Sequence, residues 1–241
     1  MIESLLLTAA RVDTFDGERP LTAASGFYFR RDGRLYLVTS RHVLHDEPSA
    51  HEPDRIMIEL HTDARDLTQS TGFSVPLHRD GRRLWRKGAD SGGDVDVAVM
   101  ELDQSALPKN AVLEAFTPAH LPRSLDDVEV GSSLLVTGFP LGFHDTLHHL
   151  PVVRSALIAS AFGIRFQGQG CFLTDARLHR GMSGAAVVLR DLHAKSATLP
   201  WKLLGVHSAR LDMGNRDAAQ DESLGLNSAW YADILMALTT P

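Results

Sequence analysis

Cysteine is nearly missing from this chain of 241 residues: Cys171 is the only one. No intramolecular disulfide can form, which argues for a reducing compartment and against a secreted, disulfide-stapled fold. Long apolar runs are missing too, and no stretch approaches the ~20 residues that span a bilayer. The N-terminus lacks the basic start of a signal peptide, with Glu3 where Lys or Arg would stand. A soluble, cytoplasmic protein is the expectation. An excess of basic charge is also lacking. The formal net charge of −6 speaks against non-specific binding to nucleic acid or anionic membranes. No glycine-rich phosphate loop or dinucleotide fingerprint follows a predicted strand, so no cofactor is expected.

What the chain does have is short β-type runs bounded by turn residues. Residues 5–11, 25–30, 35–39, 55–61, 73–77 and 95–102 form a first series. Arg31-Asp32-Gly33-Arg34 places Asp-Gly between two apolar runs, a strong hairpin signal. Residues 103–127 contain Pro108, Pro118 and Pro122 and read as a connector. A second series follows at 133–138, 152–160, 170–174, 185–190 and 202–207. Only the C-terminus reads as a helix, with Trp230, Ile234 and Leu238 at helical spacing after a Ser or Asn cap. Many short strands with turns between them predict an all-β barrel or sandwich.

Three segments could carry chemistry. Gly181-Met182-Ser183-Gly184 flanks a serine with glycines, which let the backbone turn tightly and aim N–H donors at an oxyanion. Taken alone, the segment is as readily a turn before a strand. In Leu37-Val38-Thr39-Ser40-Arg41-His42 a histidine stands just past a strand end, where its ring can reach a serine from another segment. The chain has twelve histidines, and His42 is distinguished from its neighbour His45 by that context alone. In Gly93-Asp94-Val95-Asp96-Val97-Ala98-Val99 a carboxylate leads into a buried strand, which is costly without a partner. Asp94 and Asp96 share one side of the strand. Asp96 abuts the apolar run and is preferred, with Asp94 as a surface carboxylate.

Together these segments resemble the signature segments of trypsin-like serine peptidases, in that family's order of His, Asp, Ser. Ala24-Ser25-Gly26-Phe27, Gly138-Phe139-Pro140-Leu141-Gly142 and Leu204-Gly205-Val206-His207-Ser208 are similar to further family segments, so the likeness covers nearly the whole chain. It implies two antiparallel six-stranded β-barrels packed together with a C-terminal α-helix. The first barrel, residues 1–124, would hold His42 and Asp96 and include the connector. The second, residues 125–241, would hold Ser183 and the helix. It further implies a serine endopeptidase acting on peptide or protein substrates. His42, Asp96 and Ser183 would be the triad, and the N–H groups of Gly181 and Ser183 the oxyanion hole. Substrate would bind along Arg177, Leu178, His207, Ser208, Ala209 and Arg210.

The sequence departs from digestive trypsins in two respects. Met182 replaces the Asp that pairs with a newly cut N-terminus, so activation by that ion pair is excluded by residue type. The cysteines flanking the His and Ser are missing as well. The chain is thus most similar to bacterial intracellular or heat-shock-type members, without length for an appended peptide-binding domain. No carboxylate occurs around the primary pocket that the resemblance implies. A small or acidic substrate side chain is expected there, with Arg177, Arg210 and, when protonated, His207 as the donors. Two other readings remain open. An α/β-hydrolase-type esterase would need an Asp and then a His after Ser183, and only Asp191 with His193 or His207 supplies them. A catalytically silent binding module would keep the fold without the activity. His144-Asp145 and His148-His149 have metal-like spacing if helical, but Gly142 and Pro151 frame them as a loop, and no metal is expected.

Overall fold

The computed structural model describes residues 2–125, 128–194, 198–211 and 224–240. Asp127, the expected end of the connector, lies outside them. The first half builds a seven-stranded antiparallel sheet. Its strands are β1 (Ala9–Asp16), β2 (Arg19–Arg31), β3 (Arg34–Thr39), β4 (Arg55–His61), β5 (Ser70–Pro76), β8 (Trp85–Asp90) and β9 (Gly93–Leu102), in the order β5-β4-β1-β2-β3-β9-β8. The two-residue strands β6 (His78–Arg79) and β7 (Arg82–Arg83) pair separately. The second half is a six-stranded antiparallel sheet of β10 (Ser133–Gly138), β11 (Val152–Leu157), β12 (Cys171–Thr174), β13 (Ala186–Arg190), β14 (Trp201–Arg210) and β15 (Asn227–Tyr231). Its order is β11-β10-β13-β14-β15-β12. A bridge between Ile158 and Thr174 joins its two ends, so the sheet curls into a barrel.

Local chemistry explains the joints. Asp32 and Gly33 both have positive φ, 49° and 78°, as a two-residue hairpin loop matched to strand twist requires. β4 alternates burial from Arg55 to Leu60, the period-two pattern of a sheet with one face inward. Inside the first sheet pack Val12, Tyr28, Leu37, Ile56, Ile58 and Met100. Inside the second pack Val136, Ile158, Phe172, Val187 and Leu204. A further core lies where the two halves meet, with Phe27, Val38, Val97 and Phe116 against Val188, Leu203 and Val206. The fold is therefore the expected mainly-β double barrel with a C-terminal helix, although the first sheet has seven strands rather than six.

Several boundaries differ from the expected ones: β2 begins at Arg19, β5 at Ser70, β11 ends at Leu157 and β14 runs on to Arg210. Residues Ser4–Thr8 form a 3-10 turn and the first strand starts at Ala9, because Leu5 turns into the core between the halves. The C-terminal helix α2 is only Ile234–Leu238. Trp230 belongs to β15, where it pairs with Cys171 and Val206. Its spacing to Ile234 was shared by a strand and the helix after it, and pairing on both sides decided for the strand. The charged strand β8 was missed because Arg86, Lys87 and Asp90 obscure any alternation. It lies at a sheet edge, where such residues are tolerated.

Gly184 is the tightest point between the halves. Its φ is +86°, and an added Cβ would overlap the Ser25 carbonyl and the Thr39 hydroxyl. Backbone strain and collision therefore act together. Gly184→Ala is expected to cost at least about 3 kcal/mol, read as a lowered midpoint in urea unfolding. An unchanged midpoint would contradict this packing.

Candidate active site

The three candidate side chains arise from three different strand ends. β3 stops at Thr39, and Ser40 leads into the one-turn helix α1 (Arg41–Leu44). β9 continues past the end of β3, whose last paired residue, Thr39, lies opposite Ala98. Asp96 thus protrudes beyond its neighbour strand, directly beside α1. One carboxylate oxygen of Asp96, Oδ1, accepts the backbone N–H of His42 at 2.9 Å, an otherwise unpaired donor of a first helical turn. The other, Oδ2, lies 2.7 Å from His42 Nδ1. Asp94 instead sits at the surface, 3.7 Å from Lys87 and 3.9 Å from Arg41.

β14 supplies a third contact to Asp96. Its register against β15 shifts between His207 and Ala209, so Ser208 is the extra residue of a bulge, a device that re-aims a side chain. The Ser208 hydroxyl donates to Asp96 Oδ2 at 2.5 Å. The carboxylate is thereby held by a backbone N–H, an imidazole and a hydroxyl.

The turn carrying Ser183 is tied to both halves. Ser25 N–H donates to the Ser183 carbonyl at 3.0 Å, and the Ser25 hydroxyl donates to the Gly181 carbonyl at 2.7 Å. Gly184 N–H donates to the His207 carbonyl at 2.8 Å. Gly181 has φ +89°, and a Cβ there would come within 2.5 Å of the Phe139 carbonyl. The N–H groups of Gly181 and Ser183 donate to no acceptor among the described residues. The Ser183 hydroxyl donates to the Ser208 carbonyl at 3.1 Å. Met182 is fully buried among Val136, Leu178 and Val187, so an apolar core contact replaces the ion pair of activatable trypsins.

Electrostatics follows from these contacts. Burial alone would depress the pKa of His42, but the hydrogen bond and charge of Asp96, with the charge of Asp46, raise it above its ordinary 6.5. Burial would raise the Asp96 carboxyl, yet its bonds to His42 and Ser208 hold it below the usual carboxylate range. His207 goes the other way: burial, reinforced by the nearby His42 charge, pushes it down to about 3. It is 3% exposed and neutral at physiological pH. The acid-binding role expected of His207 would need a protonated ring, and burial in the strand opposes that charge.

The remaining expected substrate residues are spread out. Leu178 and Ser208 are buried, while Arg177, Ala209 and Arg210 are exposed. A cavity of about 820 Å³ opens on His42, Gly181 and Ser183, and none of Arg177, Leu178, His207, Ser208, Ala209 or Arg210 lines it. Two residues that hold or border this site were not singled out by the sequence reading. Ser25 lay inside a recognised segment without a role of its own, and Asp46 in a loop carried no signal. His144, Asp145, His148 and His149 do form a loop. Asp145 accepts from the backbone N–H groups of Leu147 and His148 and lies 2.7 Å from His148 Nδ1. No cluster suited to a metal occurs among the described residues.

A two-barrel antiparallel fold in which a His–Asp pair and a glycine-framed serine open onto one cavity is the arrangement of chymotrypsin-fold peptidases. The chain belongs to the trypsin-like peptidase domain family, whose model matches residues 24–193. Among curated proteins none matches the chain in sequence. Among solved structures it is similar to an HtrA-type protease with a tripeptide, at 18% identity and a TM-score of 0.57, over 96% of this chain and 58% of that one. A serine endoprotease from Yersinia pestis is similar at 18% identity and a TM-score of 0.53, over 97% of this chain and 62% of that one. The chain thus spans about three fifths of these proteins' lengths, and the likeness concerns the fold. Every strand pairing in both sheets is antiparallel, which removes the α/β-hydrolase reading.

Proposed function

We propose that this protein is a serine endopeptidase that hydrolyses peptide bonds through an acyl-enzyme. The observation that carries the proposal is the fixed His42–Asp96 pair opening with Ser183 onto one cavity. Ser183 Oγ attacks the substrate carbonyl while His42 Nε2 takes its proton, forming a tetrahedral oxyanion against the N–H groups of Gly181 and Ser183. His42 then protonates the leaving amine, and the C–N bond breaks to leave an ester on Ser183. Water, deprotonated by His42, attacks that ester, and the carboxylic acid departs as Ser183 recovers its proton. Asp96 fixes the ring with its proton on Nδ1 and stabilises the imidazolium, staying ionised throughout. No cofactor or metal enters this chemistry. The buried Met182 fits an enzyme active without N-terminal cleavage, and a lone buried Cys171 suits the cytoplasm.

A fluorophosphonate probe tests this directly. The intact chain, produced under reducing conditions, should gain one adduct, and mass spectrometry of a digest should place it on Ser183. An unlabelled protein would favour the silent binding module instead.

A further inference from the structure

The cavity beside Ser183 lies on one side of it only. Its walls are the end of β1, the start of β2, the segment from the last turn of α1 to Glu52, and Arg180 with Gly181. The bulged end of β14 takes no part. A histidine that protonates a leaving amine needs that amine on the imidazole side of the serine. On the peptidase reading, then, this cavity receives the substrate segment that follows the scissile bond.

Its charges are unevenly compensated. Asp16 is paired with Arg19 at 3.0 Å, and Glu52 lies 3.9 Å from His45. Asp46 has no cation within 4 Å among the described residues; its Oδ2 accepts only the Ser49 hydroxyl, at 2.5 Å. It is half-buried, so its charge is less screened than that of a free surface carboxylate. The position is also fixed in advance. Asp46 and His51 exchange two backbone hydrogen bonds of 3.0 Å, and His51 Nε2 lies 2.9 Å from the Val43 carbonyl. Little ordering remains for a ligand to impose. Arg180, on the wall beside Gly181, has no ion-pair partner there either, and it disfavours a second cation close to the cut.

We propose that this groove selects substrates carrying a lysine or arginine shortly after the scissile bond, with that side chain paired to the Asp46 carboxylate. The inference rests on the peptidase reading. A charge-assisted contact in a half-buried, preformed site corresponds to about tenfold in kcat/KM.

A positional-scanning peptide library provides the test. Wild type should favour Lys or Arg over Asp or Glu about tenfold at one of the first three positions after the cut. Asp46→Asn should erase that ratio, Asp46→Glu should retain it, and Asp46→Lys should invert it. Comparing two substrates within one variant cancels any effect of Asp46 on His42. Independently of turnover, the Ser183→Ala protein should hold a Lys-bearing fluorescent peptide more tightly than its Glu-bearing counterpart in anisotropy titrations, and lose the difference with Asp46→Asn added. Cleavage with no bias after the cut, or a bias that survives Asp46→Asn, overturns the inference. Equal affinities in the titration overturn it even if no peptide is ever cleaved, whereas absent cleavage with unequal affinities counts against the peptidase reading alone.

Discussion

Ser183→Ala is expected to lower kcat for peptide hydrolysis by about 10⁶-fold, and His42→Ala by a similar factor. Members of such a constellation act as a unit, as the corresponding knockouts in subtilisin do. The fold should survive the serine change. Among the described residues the Ser183 hydroxyl makes one hydrogen bond, to the Ser208 carbonyl at 3.1 Å, and losing such a bond costs about 1 kcal/mol. The turn itself is held by backbone contacts from Ser25 and Gly184, which alanine leaves in place. Steady-state kinetics beside urea unfolding separates the two effects. Undiminished turnover in Ser183→Ala would remove the nucleophile assignment.

Asp96→Asn should lower kcat by about 10⁴-fold near neutral pH, as loss of the orienting carboxylate does in the trypsin-type triad. The amide offers a donor where His42 Nδ1–H needs an acceptor, so the ring settles in the wrong tautomer. The pH profile should change with it. His42 works as a base only when neutral, and its pKa lies above 6.5, with Asp96 the largest of the influences that raise it. Activity in wild type therefore falls as pH drops through that raised value. Removing the Asp96 charge should move this acid limb to lower pH. Stability carries a separate signature. Asp96 has a depressed pKa in the folded protein, so its contribution is complete above the unfolded value near ~3.9 and is lost as pH falls through the folded one. Asp96→Asn should flatten that acid-side loss. An acid limb that stays where it was would show that Asp96 does not govern His42.

The sequence was most legible where local rules decide. Asp32-Gly33 specified a hairpin by its positive-φ demand, and alternation marked β4. The glycines around Ser183 and the carboxylate leading into β9 carried their own chemical reasons. Likewise, Met182 excluded an activating ion pair by residue type alone, and the order of the three segments pointed to the family.

What the sequence by itself determined, then, was which residues could form the site and which class of fold could bring them together. Tertiary structure alone decided the rest. Whether Asp94 or Asp96 reaches His42 depends on how far β9 runs past β3, a matter of register between strands distant in sequence. Whether His207 carries charge depends on burial, which a short motif does not encode, and burial holds it neutral. Trp230 went to a strand because β12 and β14 both present it with partners. The charge left unpaired in the groove at Asp46 is equally a product of packing. Local chemistry fixes what a residue can do, while desolvation and neighbours set by long-range pairing fix which of those options has the lowest free energy.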